Sequence, residues 1–229
     1  MIPVITVDGP SGSGKGTICR LLAEATGFHL LDSGALYRLT ALAAMRKTVD
    51  IGNQMAMADV AAGLEVAFIV RGQATQVLLE NDDVTREIRS EAVGLNASIV
   101  AAYPQVRLAL LERQREFSEL PGLVADGRDM GTVVFPQAQV KIFLTASAEE
   151  RADRRVKQLQ EAHQSADYED ILRDIRARDE RDSSRTASPL VPADDALMLD
   201  STLLSIDQVL NAVLDYANKR LSPRQESAR

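Results

Sequence analysis

The chain alternates short apolar runs with stretches whose apolar residues recur every three or four positions. Val4, Ile5, Thr6 and Val7 form a mostly β-branched run and predict a buried strand. Ile18, Cys19, Leu21, Leu22 and Ala25 then keep helical spacing, and Gly27 suits the position after the helix end. Phe28 to Leu31 predicts a second strand, followed by a helix from Ala35 to Arg46 with Ser33 at its N-cap. Gly122 to Asp126, Val140 to Thr145 and Ala196 to Leu199 predict three more core strands. Pro104 suits the first turn of a helix reaching about Glu119, with Val106, Leu110 and Phe117 on one face and Arg107 turned away from them. Ser147 with Glu150, and Ser205 with Gln208, spell capping boxes that open two further helices, the second reaching about Leu221. Strands alternating with helices imply a parallel sheet covered on both faces.

The texture changes from Asp50 to Ile99. Met55 to Leu64 is small, apolar and helical in pattern. Val66 to Val70 and Thr75 to Leu79 are β-like runs joined at Arg71-Gly72-Gln73, which predicts a hairpin. A second turn is expected at Asn81-Asp82-Asp83, and helical patterns return from Val84 to Ala101. A hairpin without an intervening helix does not belong in a parallel core, so this stretch is an inserted subdomain.

Composition narrows the class. A chain of 229 residues, 45% hydrophobic and 26% charged, can bury one sizeable core with insertions. A net charge of -7 argues against a broad nucleic-acid surface. The single Cys19 excludes an internal disulfide framework and reads as a buried small hydrophobe. His29 and His163 are too few and too isolated for a metal cage. With no leader-like or membrane-length apolar run, the expectation is a cytoplasmic monomer that binds neither nucleic acid nor membrane. The polar tail Ser222 to Arg229 is expected to fray.

The chemistry begins at Val4–Thr17, VITVDGPSGSGKGT. Strand, Gly-rich loop and helix is the context in which this spelling makes a phosphate cradle. Gly9, Gly12 and Gly14 let the backbone turn its N–H groups inward, and the helix starting near Lys15 aims its positive end at the same spot. Lys15 adds an ammonium for the β- and γ-phosphates of a nucleotide. Gly16 stands where the common pattern has a hydroxyl, so Thr17 becomes the Mg²⁺ ligand, directly or through water. The whole loop, Gly9, Pro10, Ser11, Gly12, Ser13, Gly14, Lys15, Gly16 and Thr17, is the candidate ATP site, and its GKGT ending resembles nucleoside-monophosphate kinases.

Downstream, Tyr37 and Arg38 follow a predicted strand end. They are either plain surface residues or a ligand grip of the kind found at strand carboxyl ends. The acidic chain also concentrates arginine between Arg151 and Arg185. Ile171, Leu172 and Ile175 anchor the first half of a Tyr168–Asp182 helix, whereas RDERDSSR at 178–185 has no apolar anchor. Arg178, Arg181, Asp182 and Arg185 would share one face if the helix continues. Two readings fit: a solvated face laced by acidic neighbours, or a mobile element ordered by an anionic ligand.

Taken together, DGPSGSGKGT at 8–17, LLDSGALYR at 30–38, ADGRDMGTVVFP at 125–136, VKIFLTAS at 140–147, RDERDSSR at 178–185 and PLVPADDALMLDS at 189–201 closely resemble the bacterial cytidylate kinases. The resemblance implies a phosphate-loop α/β fold: a core at about 1–34, 104–150 and 186–221, a monophosphate-binding insert at about 35–103, and a lid and arginine-rich segment at about 151–185. It implies transfer of the ATP γ-phosphoryl group to CMP or dCMP with Mg²⁺. By the same resemblance, Ser33, Tyr37 and Arg38 border the acceptor phosphate, and Ser98, Arg107 and Asp129 face the cytosine. Arg128 binds phosphate, while Arg178, Asp182 and Arg185 hold the sugar and phosphate side. Arg151 and Arg154 lie where the lid closes over ATP. Lys15, Arg128, Arg178 and Arg185 carry the electrostatic work, with no general base. The alternatives are a kinase of another small acceptor and an acceptor-independent ATP-binding regulatory module.

Overall fold

A computed structural model describes residues 2–71 and 74–221. The predicted tail at 222–229, and the tip of the predicted hairpin turn at 72–73, lie outside the described residues. The chain divides into two compact units. The first comprises residues 1–31, 117–184 and 188–229, and the second comprises residues 32–116 and 185–187.

The first unit is built on a five-stranded sheet. Its strands are β1 (Val4–Asp8), β2 (His29–Asp32), β6 (Leu123–Gly127), β7 (Val140–Thr145) and β8 (Leu197–Asp200), in the order β2-β6-β1-β7-β8. β1 pairs in parallel with β6 and β7, and β7 in parallel with β8. Every β1 residue is buried, Thr6 and Asp8 included, which suits its mostly apolar spelling. The helices α1 (Lys15–Thr26), α6 (Ala148–Glu161), α7 (Tyr168–Ser184) and α8 (Ile206–Leu221) complete the unit. Ile5 and Val7 pack with Ile18, Cys19 and Leu22 of α1, and with Val209, Val213 and Ala217 of α8. Burying each such aliphatic side chain contributes about 1.5–3 kcal/mol. Cys19 is fully buried, as expected of a small hydrophobe.

The second unit holds α2 (Ser33–Arg46), α3 (Gln54–Ala62), α4 (Glu91–Val100), α5 (Pro104–Glu116) and an antiparallel sheet, β3-β4-β5. β3 (Val66–Arg71) and β4 (Ala74–Leu79) form the expected hairpin. The following turn differs from expectation. Asp82 and Asp83 form the short strand β5, and the turn is Glu80-Asn81, both at positive φ (50° and 70°). Two central residues at positive φ suit a two-residue hairpin, and Asn tolerates that geometry.

Other differences come from competition for backbone donors. Asp32, not Ser33, caps α2, accepting from Ala35 N at 3.0 Å. The helical stretch from Val84 is broken at Ser90, whose side chain starts α4. α5 ends at Glu116, so Phe117 lies beyond it, and Arg107 is buried, as Val106 and Leu110 are. The Ser205–Gln208 capping box forms in both directions, at 3.2 and 2.9 Å. The Ser147–Glu150 box is half made. Ser147 Oγ accepts from Glu150 N, but Ser147 N donates to Thr202 and the Glu150 carboxylate accepts from Arg154.

Candidate active site

The loop between β1 and α1 is shaped by its own residues. Gly9 passes so close to β7 that a Cβ would sit 2.0 Å from the Leu144 carbonyl oxygen. Gly14 caps α1 in the left-handed region, at φ 92°. Inside the loop, Pro10 O accepts from Ser13 Oγ at 3.1 Å and from Lys15 Nζ at 2.7 Å. Lys15 is 7% exposed. Burial pulls its pKa below the lysine range; Asp126 opposes that shift and Arg128 adds to it. Thr17 is exposed on the first turn of α1, and Gly16 lies beside Asp126, whose carboxylate is 3.6 Å from where a Cβ would be. Loop amides, a helix N-terminus and one buried ammonium make an anion cradle at the carboxyl end of the sheet.

The remaining predicted residues of the first unit surround this loop with arginine. Arg151 is buried and fully engaged. It donates to Ser11 O at 3.1 Å and, through both terminal nitrogens, to the Asp179 carboxylate at 2.9 and 2.5 Å. Its stem also lies against Gly12. Arg154 donates to Glu150 at 2.9 Å and to Ser201 O at 2.8 Å. Arg178 reaches Ser11 Oγ at 3.3 Å. Arg128 donates to the buried Asp182 carboxylate. The face expected for Arg178, Arg181, Asp182 and Arg185 does not form as one stripe. Asp182 is buried and Arg178 half-buried, but Arg181 is exposed and the helix stops at Ser184, before Arg185. Polar contacts to Asp179 and Asp182 replace the missing apolar anchor.

Asp129 is 2% exposed and occupies the N-cap of a π-helical turn, Met130–Val134, without capping it through its side chain. That task falls to Asp8, which accepts from Met130 N and Gly131 N, each at 2.8 Å. Burial pushes the Asp8 pKa up to about 7 despite these two bonds, which act to lower it.

The second unit gathers a different set. Ser33 Oγ donates to Gln114 Oε1 at 2.6 Å in a buried contact. Arg38 donates to Ile88 O at 2.8 Å and lies over Gly94, where a Cβ would meet its guanidinium at 3.0 Å. The Arg107 guanidinium stands 5.4 Å from the Tyr37 ring centroid and donates to Ala101 O at 2.9 Å. Ser98 is buried on α4 with no hydrogen-bond partner for its Oγ among the described residues. A buried hydroxyl without a partner, near planar cations and an aromatic ring, suits a polar, flat ligand bearing an anion. Arg185 follows α7 and falls in the short segment 185–187 grouped with this unit.

Sequence reasoning missed Asp8, Asp126 and Gln114. For the two aspartates the signal was available: VITVD and LVAD are apolar strands that each end on a carboxylate. Nothing local marks Gln114, which meets Ser33 across 81 positions.

Among the described residues, no helix is long and apolar enough to cross a membrane. A family model described as cytidylate kinase matches residues 5–219. A cytidylate kinase of Saccharophagus degradans is 62% identical over 221 residues, 96% of this chain and 99% of its own. Those of Aeromonas hydrophila and Aeromonas salmonicida are 58% and 56% identical, covering 96% and 99% of this chain and the same shares of their own.

Proposed function

The chain belongs to the cytidylate kinase family, and on that premise we propose that it transfers the γ-phosphoryl group of ATP to CMP or dCMP, giving ADP and CDP or dCDP. The observation that carries the reading is the 62% identity to a cytidylate kinase over 96% of the chain. The phosphate loop with its buried Lys15 supports the donor half, and the Tyr37–Arg107 stack with the buried Ser98 supports the acceptor half.

In this reading the loop residues 9–17 hold the ATP phosphates. Arg38 and Arg128 bind the acceptor phosphate, with Ser33 and Tyr37 beside it. Arg178, Asp182 and Arg185 attend to the sugar and phosphate side. Arg107 and Ser98 donate to the acceptor edge of cytosine, and the Asp129 carboxylate accepts from its exocyclic amine. Residues 35–103 are the acceptor insert and 151–185 the lid segment. Arg154 belongs to the lid's ATP contacts, and Arg151 serves them by tying Ser11 to Asp179.

The family implies Mg²⁺. Among the described residues no cluster of three or more His, Cys, Asp or Glu makes a metal cage. An exposed hydroxyl at Thr17 and a carboxylate at Asp126 fit an ion held by one or two protein oxygens together with substrate phosphates and waters. When bound, Mg²⁺ neutralises phosphate charge. The chain's own residues align the phosphates, add the charge of Lys15 and the arginines, and keep water away; no base is required, because a phosphate acceptor is already largely deprotonated near neutral pH. The enzyme works as a cytoplasmic monomer with ATP and CMP or dCMP as its partners.

The test is an ADP-release assay with Mg²⁺-ATP against CMP, dCMP, UMP, AMP and no acceptor. Turnover with CMP and dCMP and little with UMP is expected. Acceptor-independent turnover would overturn the kinase reading, and equal turnover with UMP would overturn the role given to Asp129.

A further inference from the structure

We infer that Asp8 is a positioning residue for base recognition: it fixes the turn that carries Arg128 and Asp129, and so sets the discrimination between an amine and a carbonyl on the acceptor base. The inference rests on the cytidylate reading above.

The geometry is specific. Asp129 stands at the N-cap of the Met130–Val134 turn, where an aspartate ordinarily accepts from the first exposed N–H groups. Its side chain makes no such bond. The two carboxylate oxygens of Asp8, the last residue of β1, accept from Met130 N and Gly131 N instead, each at 2.8 Å and both buried. Capping from a neighbouring strand leaves the Asp129 side chain out of the cap, and its backbone is pinned by Val133 N and Val134 N, which donate to Asp129 O at 2.9 and 3.2 Å.

The turn is also packed tightly onto β1 and β7. A Cβ on Gly131 would sit 2.9 Å from Thr6 Oγ1, 3.2 Å from Lys141 Cδ and 3.3 Å from Asp8 Oδ2. Met130 folds back so closely over Gly127 that a Cβ there would meet its Cγ at 2.6 Å. Asp8 is therefore the polar support of a tightly seated turn. It also directly precedes Gly9, so one residue joins the phosphate loop to the segment bearing Arg128 and Asp129. An asparagine at position 8 has one acceptor oxygen and would set its amide donor against the other N–H. One bond would be lost and the turn would shift.

The experiment compares kcat/KM for CMP and UMP, and KM for ATP, in the wild-type protein, Asp8→Asn, Asp129→Asn and the double variant. Wild-type preference for CMP that falls about tenfold in Asp8→Asn, the size of one lost hydrogen bond, with KM for ATP within about twofold, supports the inference. A double variant no less selective than Asp129→Asn alone supports action through Asp129. Wild-type preference that survives intact in Asp8→Asn overturns this inference and leaves the cytidylate reading standing. A uniform loss with both acceptors and ATP overturns it too, since a merely structural residue would act that way. No wild-type preference for CMP would overturn the base-recognition reading itself and this inference with it. If Asp8→Asn does not fold, Gly131→Ala crowds the same turn against β1, beside the Asp8 carboxylate. Loss of CMP preference there supports the inference, and wild-type preference overturns it.

Discussion

The phosphate loop and the distal half of α7 both present cations, yet they are held in opposite ways. The curl of the loop comes from contacts that span at most five residues, Ser13 and Lys15 to Pro10 O, and from left-handed glycines at 12 and 14, while Arg151 and Arg178 reach it from outside at Ser11. The end of α7 is fixed by partners far away in sequence: Arg151 to Asp179 across 28 positions, Arg128 to Asp182 across 54, and Arg178 to Ser11 across 167. Local geometry makes a site that survives the loss of its charge. Long-range ion pairs make one whose stability and function fail together.

Lys15→Ala is the largest expected break in that comparison. It should lower kcat by about 10³-fold, the scale of one preorganised charge removed from the transition state. Thermal stability should hold or rise, because burial already works against the ammonium. Steady-state kinetics beside a melting curve checks both. A large fall in melting temperature would show that the lysine also supports the loop.

On the other side of the comparison, Asp179→Ala should damage both properties. It leaves Arg151, only 4% exposed, without its carboxylate. Removing one partner of a buried pair costs about 3 kcal/mol. Urea unfolding measures this, and kcat should fall in the same variant because α7 carries Arg178 and Asp182. Replacing Arg151 and Asp179 together by Met and Leu should recover much of the stability but not the rate.

A smaller effect comes from Asp8. Its folded pKa, about 7, lies above the ordinary aspartate value of 3.8. The folded protein therefore keeps this proton to higher pH than the unfolded chain. The associated stability is complete below about pH 3.8 and declines as pH rises towards 7. Between pH 5 and pH 7 the decline amounts to about 2 kcal/mol. Asp195, held low by its hydrogen bond to Lys141, acts in the opposite sense: its contribution is present above the unfolded value and fades in acid. Subtracting the unfolding curves of Asp8→Asn from wild type removes such shared terms. The variant should gain on wild type steadily from pH 5 to 7, and a flat difference would mean that the carboxyl is ionised throughout.

What was legible in the sequence follows the same division. The core strands, the order of helices, the loop and its Lys15 are written in periodicity and short-range spelling, and β7 begins and ends where expected, at Val140 and Thr145. The turn after β4 falls one or two residues before the one the spelling predicts, because Asp and Asn are compatible with either turn or strand-edge positions until pairing decides. Arg107 reads only as turned away from Val106 and Leu110, because helical spacing shows what shares a side and not what lies opposite. That Tyr37 covers the other side is a fact of α2, 70 positions away. The Arg151 clamp on Asp179 is likewise invisible locally, since arginines and carboxylates alternate throughout that stretch and the sequence does not say which pairs meet.

The two capping boxes offer the finest test of local against distant control. Ser205 and Gln208 exchange both hydrogen bonds, with nothing else claiming them in the described contacts. Ser147 and Glu150 are spelled for the same exchange, but Thr202 takes the Ser147 N–H and Arg154 takes the Glu150 carboxylate. Removing either serine hydroxyl should destabilise by about 1 kcal/mol, since each accepts from a first-turn N–H. The couplings should differ. A double-mutant cycle over Ser205→Ala and Gln208→Ala should give an interaction of about 0.5 kcal/mol, because each side chain needs the other to close the box. The same cycle over Ser147→Ala and Glu150→Ala should give close to zero, because their second bond was never made. Equal couplings would mean that the spelling itself, and not the partner brought in by the fold, decides how a helix begins.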